Sequence, residues 1–74
     1  MPKLPVCSGK EVIAAFENAG WQIDRQKGSH VTLIKEGETV VLTVPLHKEI
    51  DKGLLRSLIR KANLTVEEFI TLHE

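Results

Sequence analysis

A lone imidazole behind two cations is the arrangement in this sequence that best suits chemistry. The segment is Arg25-Gln-Lys27-Gly28-Ser29-His30. Histidine has an unperturbed pKa of about 6.5, so it can accept or donate a proton near neutral pH. RNA carries its own nucleophile in the 2′-hydroxyl, and its cleavage therefore needs a proton acceptor, a cation near the phosphate and correct orientation, but no metal. His30 is therefore a candidate catalytic residue, with a solvated strand residue as the alternative, and Arg25, Lys27 and Ser29 are candidates for binding RNA.

His47 and Lys35 are candidates for assisting roles on the RNA. Pairing of the second and third predicted strands places Pro45 opposite His30, so His47 would lie about 7 Å further along the third strand if that strand continued straight. A bend in the loop could close that gap. The alternative for His47 is a loop residue at the entry to a helix. Lys35, like Lys27, could steady negative charge on the phosphate. His73, beside the C-terminus, is predicted to be a frayed surface residue.

A row of cations follows one side of a predicted helix. Lys52, Arg56 and Arg60 are spaced i, i+4 and i+8, and such a row could bind RNA phosphates or an acidic protein. A solvated helix face is the alternative interpretation. The chain has ten basic and ten acidic residues and a net charge of zero, so only the uneven distribution of charge favours nucleic acid.

Composition restricts the class of protein. The chain has 74 residues, 42% hydrophobic and 27% charged, which predicts one globular domain over residues 1–74 and argues against disorder and membrane spans. Cys7 is the single cysteine, predicted to be a buried hydrophobe, and it excludes an intrachain disulfide. No signal-peptide pattern is present, so we expect a cytoplasmic protein. The histidines lack metal-ligand spacings and the glycines lack a phosphate-binding motif, so we expect no metal and no cofactor.

Capping motifs and hydrophobic periodicity predict the elements that must position these residues. Ser8-Gly-Lys-Glu11 has the form of a capping box and predicts a helix that ends at Gly20. Asp51 predicts the N-cap of a second helix that ends near Asn63. Thr65-Val-Glu-Glu68 is another capping box before a short terminal helical segment. Between the first two helices, alternation and β-branched runs predict strands over residues 21–25, 29–35 and 39–44.

The register of the second and third strands follows from their apolar positions. Pairing residue 31 with 44 and 33 with 42 places valines and leucines on one face, and Val40 joins that inward face. The same register turns His30 outward and places it opposite Pro45. The connection is then a Gly37-Glu38 loop, with glycine first in a type II′ turn. A three-residue loop over 36–38 would mix polar and apolar groups on both faces. We therefore predict an α+β fold of two layers, α-β-β-β-α, with a three-stranded antiparallel sheet, both helices on one face and His30 on the open face.

Four segments, taken in order, resemble the HicA toxin family, the RNA-cleaving half of HicA–HicB toxin–antitoxin pairs. They are the Ser8–Gly20 helix ending in Ala-Gly-Trp21, Arg25-Gln-Lys27-Gly28-Ser29-His30, Val44-Pro45-Leu46-His47, and Lys52-Gly53-Leu54-Leu55-Arg56-Ser57-Leu58-Ile59. The resemblance covers nearly the whole chain. It implies a fold like that of double-stranded-RNA-binding domains, which agrees with the order of elements predicted from periodicity.

The resemblance also implies an activity and a partner. The family's mRNA interferases carry an essential histidine in a Gly-Ser-His motif, here His30, and are silenced by a HicB-type antitoxin in a hetero-oligomer. We expect acidic groups of such a partner to meet Arg25, Lys27 and the row from Lys52 to Arg60. The predicted reaction is metal-independent endoribonuclease cleavage of mRNA, with His30 as general base toward the 2′-hydroxyl.

Other functions remain open from the sequence. Attack by water with the help of a metal is the competing chemistry. A non-catalytic RNA-binding module of the double-stranded-RNA-binding type is the alternative function, and replacing His30 would then leave its binding nearly unchanged. A domain that binds only an acidic protein is a third possibility.

Overall fold

Each helix begins at the capping residue that the sequence predicts. In the computed structural model, which describes residues 3–74, the Ser8 hydroxyl accepts from the Glu11 amide at 3.2 Å and the Glu11 carboxylate accepts from the Ser8 amide at 3.1 Å. Thr65 and Glu68 repeat this capping box, and Asp51 caps the middle helix. The elements in order are α1 (Gly9–Asn18), β1 (Gln22–Lys27), β2 (His30–Ile34), β3 (Leu42–Pro45), α2 (Lys52–Lys61) and α3 (Val66–His73).

The three strands form one antiparallel sheet in the order β1-β2-β3. Val31 pairs with Val44 and Leu33 with Leu42, which confirms the predicted register. The side chains of these four residues are buried in the core, and α1 and α2 both pack against β3. The sheet therefore has one covered face and one open face, and the predicted α+β class is confirmed.

The connection between β2 and β3 differs from its prediction. β3 begins at Leu42 rather than residue 39, and Val40 is 39% exposed instead of lying in the core. The Glu38 amide donates to the Lys35 carbonyl at 3.0 Å, so Gly37 stands third in this turn, with a φ of 88°. A positive φ suits glycine at that position as well as at the first central position of a type II′ turn. The predicted type II′ turn is therefore wrong, because the chain turns one residue earlier.

The core joins all three helices to the covered face of the sheet. Phe16, Trp21 and Phe69 are buried, and the rings of Phe16 and Phe69 lie 5.6 Å apart where α3 packs on α1. No helix within residues 3–74 has the length and apolar character needed to cross a membrane.

The C-terminal histidine is held in place, so its predicted fraying is wrong. His73 Nε2 lies 3.1 Å from Glu11 Oε2, and its ring stacks on Phe69 at a centroid distance of 6.1 Å. These contacts join α3 to the first turn of α1. The capped α3 extends for eight residues, long enough to carry His73 back to α1.

Candidate active site

His30 lies at the start of β2 on the open face of the sheet, where its side chain is exposed. Its direct partners are Lys27 on β1 and Pro45 on β3. Directly opposed residues of antiparallel strands have Cα atoms about 4.5–5.5 Å apart and side chains on the same face. The Lys27 side chain therefore lies beside the imidazole.

A tight hairpin places this pair at the end of the β1–β2 ribbon. Gly28 and Ser29 are the two loop residues, and Gly28 has a φ of 60°. A positive φ at the first loop position is the requirement of a type II′ hairpin, and glycine meets it without steric cost. The Gln26 side-chain amide donates to the Gly28 carbonyl at 3.1 Å and closes the loop. This role of Gly28 was not predicted, although Gly-Ser between two strands is a recognised hairpin signal.

A β-bulge decides which β1 side chains join His30. Ile23 pairs with Leu33 but Arg25 pairs with Thr32, so Asp24 is an extra residue without a partner. The regular alternation predicted for residues 21–25 is therefore wrong. The bulge moves Arg25 onto the open face, while Ile23 stays on the side of Leu33. The open face consequently carries Lys27, His30, Arg25 and Thr32 together.

The cations of this face are available to a ligand. All six residues of β1 are exposed, whereas the inward side chains of β2 and β3 are buried in the core. Arg25 Nε lies 3.0 Å from the neighbouring Asp24 carboxylate, an exposed pair that water screens. Among residues 3–74, the close contacts between basic and acidic side chains join Arg25 to Asp24 and His73 to Glu11, and Lys27 belongs to neither.

Lys35 lies away from this cluster. It follows the far end of β2, about 16 Å along the strand from His30 at the usual rise per residue. Its side chain is half-buried against Gly20, where the Lys35 Cε is 3.3 Å from the position a Cβ would take. The structure therefore brings Lys27, and not Lys35, to the imidazole.

Ser29 and His47 are joined to the site through their backbones. The Ser29 carbonyl accepts from the Leu46 amide at 2.7 Å, and the His47 carbonyl accepts from the Gly9 amide at 2.9 Å. Both side chains are exposed. Within residues 3–74, no hydrogen bond joins the rings of His30 and His47. His47 is thus a neighbour of the site, and its part in catalysis stays a prediction.

The predicted cationic row belongs to the helical layer. Leu55, Leu58 and Ile59 of α2 are buried in the core under the covered face of the sheet. Lys52, Arg56 and Arg60 are exposed on the same helix, so they do not share the open face with His30. Two of these cations line a shallow pocket of about 220 Å³ with the apolar side chains of three neighbours, Ile59, Leu64 and Val66.

Cys7 and the acidic residues offer little to this site. Burial, followed by the nearby Glu11 carboxylate, raises the pKa of the Cys7 thiol above its ordinary value, so the thiol resists ionisation. In the part of the chain that the structure describes, no three His, Cys, Asp or Glu side chains are grouped closely enough to hold a metal ion. The open face itself carries an imidazole and, directly opposite it in the sheet, an ammonium group.

Comparison with known proteins agrees with this fold. A family model for the HicA toxin of bacterial toxin–antitoxin systems matches residues 9–64, which include β1, the Gly28–Ser29 hairpin and His30. A chain from the solved structure of a toxin–antitoxin complex from Streptococcus pneumoniae is 34% identical, with a TM-score of 0.68, over 77% of this chain and 97% of that one. No curated protein matches the sequence. The chain therefore belongs to the HicA toxin family.

Proposed function

We propose that this toxin is a metal-independent endoribonuclease that cleaves mRNA, with His30 as its acid–base group. The observation that carries the proposal is the direct pairing of Lys27 with His30 on the open sheet face. That pairing sets a proton acceptor beside a cation, the two groups that cleavage by the 2′-hydroxyl requires. The exposed face admits an extended strand of RNA.

The proposed reaction is an internal phosphoryl transfer. His30 accepts the proton of the 2′-hydroxyl, and the 2′-oxygen attacks the adjacent phosphorus. The bond from phosphorus to the 5′-oxygen breaks, and that oxygen takes up a proton from water or from the protonated imidazole. Lys27 stabilises the additional negative charge on the phosphate oxygens. The products are a 2′,3′-cyclic phosphate and a 5′-hydroxyl.

RNA binding is assigned chiefly to the ribbon of β1 and β2. Arg25 and Lys27 follow one another along the open face, with Thr32 between β1 and β3, and Ser29 sits in the hairpin loop. The cations of α2, Lys52, Arg56 and Arg60, would contact phosphates of a longer RNA or an acidic protein from the opposite layer. His47 would contact RNA beside the hairpin. This use of a sheet and a basic helix resembles double-stranded-RNA-binding domains.

The proposed regulator is a HicB-type antitoxin acting in the cytoplasm. The similar solved chain comes from a toxin–antitoxin complex, and membership of the family supports an antitoxin partner here as well. A partner that places carboxylates over Arg25 and Lys27 would cover His30 and exclude RNA.

The test is to incubate the purified chain and its His30→Ala variant with a defined RNA, each with and without EDTA, and to analyse fragment ends. We expect native cleavage to survive EDTA, to give 2′,3′-cyclic phosphate ends, and to vanish in the variant. Because His30 is exposed, the variant should keep the unfolding temperature of the native chain within a few degrees.

Other outcomes point to other functions. Cleavage that EDTA abolishes, or 5′-phosphate products, would favour attack by metal-assisted water. A native chain that binds RNA in a salt-dependent way without cutting it would be the non-catalytic binding module instead.

A further inference from the structure

We propose that Gly9 is a positioning residue for the His30 site, because its lack of a side chain lets α1 begin directly against the chain that flanks the imidazole. The inference rests on the proposed function, since it assigns Gly9 an effect on the same reaction. Gly9 lies on α1, outside the ribbon of β1 and β2 to which RNA binding is assigned, and acts through the segment from Pro45 to His47.

The contact leaves no room for a methyl group. A Cβ on Gly9 would lie 2.1 Å from the Pro45 carbonyl oxygen and 2.9 Å from the Leu46 Cα. Both are backbone atoms, which cannot rotate away as the end of a flexible side chain can. In the same contact, the Gly9 amide donates to the His47 carbonyl at 2.9 Å.

The segment from Pro45 to His47 is also tied to the active-site hairpin. Pro45 pairs directly with His30, and the Leu46 amide donates to the Ser29 carbonyl at 2.7 Å. One short segment therefore contacts α1 on one side and the Gly-Ser-His turn on the other. A displacement of this segment would therefore move the backbone of Ser29 and His30, which carries the imidazole.

The first turn of α1 is held too firmly to move away from Pro45. The Ser8 capping box fixes its start, and Val12 and Phe16 bury its apolar stripe completely. With alanine at position 9, the segment from Pro45 to His47 must therefore move to relieve the 2.1 Å contact. A misplacement of about 1 Å at a catalytic group can lower a rate by about 100-fold.

Gly53 supplies a matched control. It also lies in the first turn of a helix, and neither glycine has the positive φ that would itself strain a substitution. A Cβ on Gly53 would lie 3.0 Å from the Asp51 Oδ2 that caps α2, and this atom ends a side chain that can shift slightly, whereas a backbone carbonyl cannot. The two glycines thus share a helical backbone conformation. They differ in the space available for a side chain and in their distance from the site.

The experiment compares Gly9→Ala and Gly53→Ala with the native chain in two ways. The first is kcat and KM for a short single-stranded RNA; the second is the set of imidazole NMR resonances, with their pH titration. We expect Gly9→Ala to lower kcat at least tenfold, to change KM less than twofold, and to shift the His30 and His47 resonances. Gly53→Ala should keep native kcat, KM and resonances.

Native kcat and unshifted histidine resonances in folded Gly9→Ala would overturn the inference, as would an equal loss of kcat in both variants. If Gly9→Ala does not fold, a synthetic chain with glycolic acid in place of Gly9 replaces the N–H that donates to the His47 carbonyl by an ester oxygen. This change loosens the same contact between α1 and the segment from Pro45 to His47 without adding a side chain, so an unchanged kcat with unshifted histidine resonances there would also overturn the inference. If the native chain cleaves no RNA, the proposed function fails, and the histidine resonances alone then decide whether Gly9 positions the site.

Discussion

Replacing Lys27 by methionine should slow RNA cleavage far more than the same replacement at Lys35. Lys27 is directly opposite His30, so we take about 6 Å, slightly more than the spacing of paired Cα atoms, as the distance from its ammonium group to a phosphate held at the imidazole. Two unit charges at that distance interact by about 0.7 kcal/mol in bulk water and about 2.8 kcal/mol at an effective dielectric constant of 20. The single-turnover rate should therefore fall between about 3-fold and about 100-fold.

Lys35→Met is the matched control because it removes the same charge from the other end of β2. It lies about 16 Å from His30, twice the Debye length of about 8 Å at physiological salt. We expect its single-turnover rate to stay within about twofold of the native rate. The assay uses saturating protein at 0.15 M salt, so that weaker RNA binding does not enter the rate, with thermal unfolding to verify the fold.

Equal losses in the two variants would refute the reasoning, since they would show that total charge, and not position beside His30, sets the rate. An unchanged rate in Lys27→Met would also refute it. In that case the charge on the transferring phosphate would have to be stabilised by another group.

Two further predictions concern stability. Phe69→Ala should lower the free energy of unfolding by about 3–5 kcal/mol, because Phe69 is 0% exposed and packs α3 on Phe16. Urea unfolding measures this change, and a loss below about 1 kcal/mol would contradict the packing. Glu11 has its pKa lowered from 4.5, first by the Ser8 amide and then by His73. Its carboxylate therefore stabilises the fold above about pH 4.5, and this contribution is lost as pH falls through the lowered pKa. Glu11→Gln should be less stable than the native chain at pH 7 and approach it at pH 3; a constant difference would exclude the link.

Local patterns determined most of the secondary structure. The three caps at Ser8, Asp51 and Thr65 are satisfied within a few residues of each cap, so the sequence contains all that their formation needs. The pairing of β2 with β3 was also predictable, since one face must be buried and a slip of one residue would turn Val31 and Leu33 to water. The outward direction of His30 follows from the same constraint.

The composition of the open face was decided by the tertiary structure. Buried Trp21 fixes where β1 begins, and the Gly28–Ser29 hairpin fixes Lys27 opposite His30. From Ile23 to Lys27 the chain takes four steps, whereas their partners Leu33 and His30 are three steps apart, so one residue must bulge. Alternation within one strand cannot reveal a mismatch between two strands. The bulge therefore had to be seen in the paired sheet.

Long-range contacts were equally hidden from sequence patterns. The approach of Gly9 to Pro45 and the pairing of His73 with Glu11 join residues far apart in the chain, and neither residue type predicts its partner. Lys35 has the same charge as Lys27, but it follows the far end of β2, whereas Lys27 lies opposite His30. The sequence by itself determined the residue types, helix caps and strand faces, because these depend on neighbours along the chain. Only the packed structure decided which cations reach His30, because that depends on how separate segments meet in space.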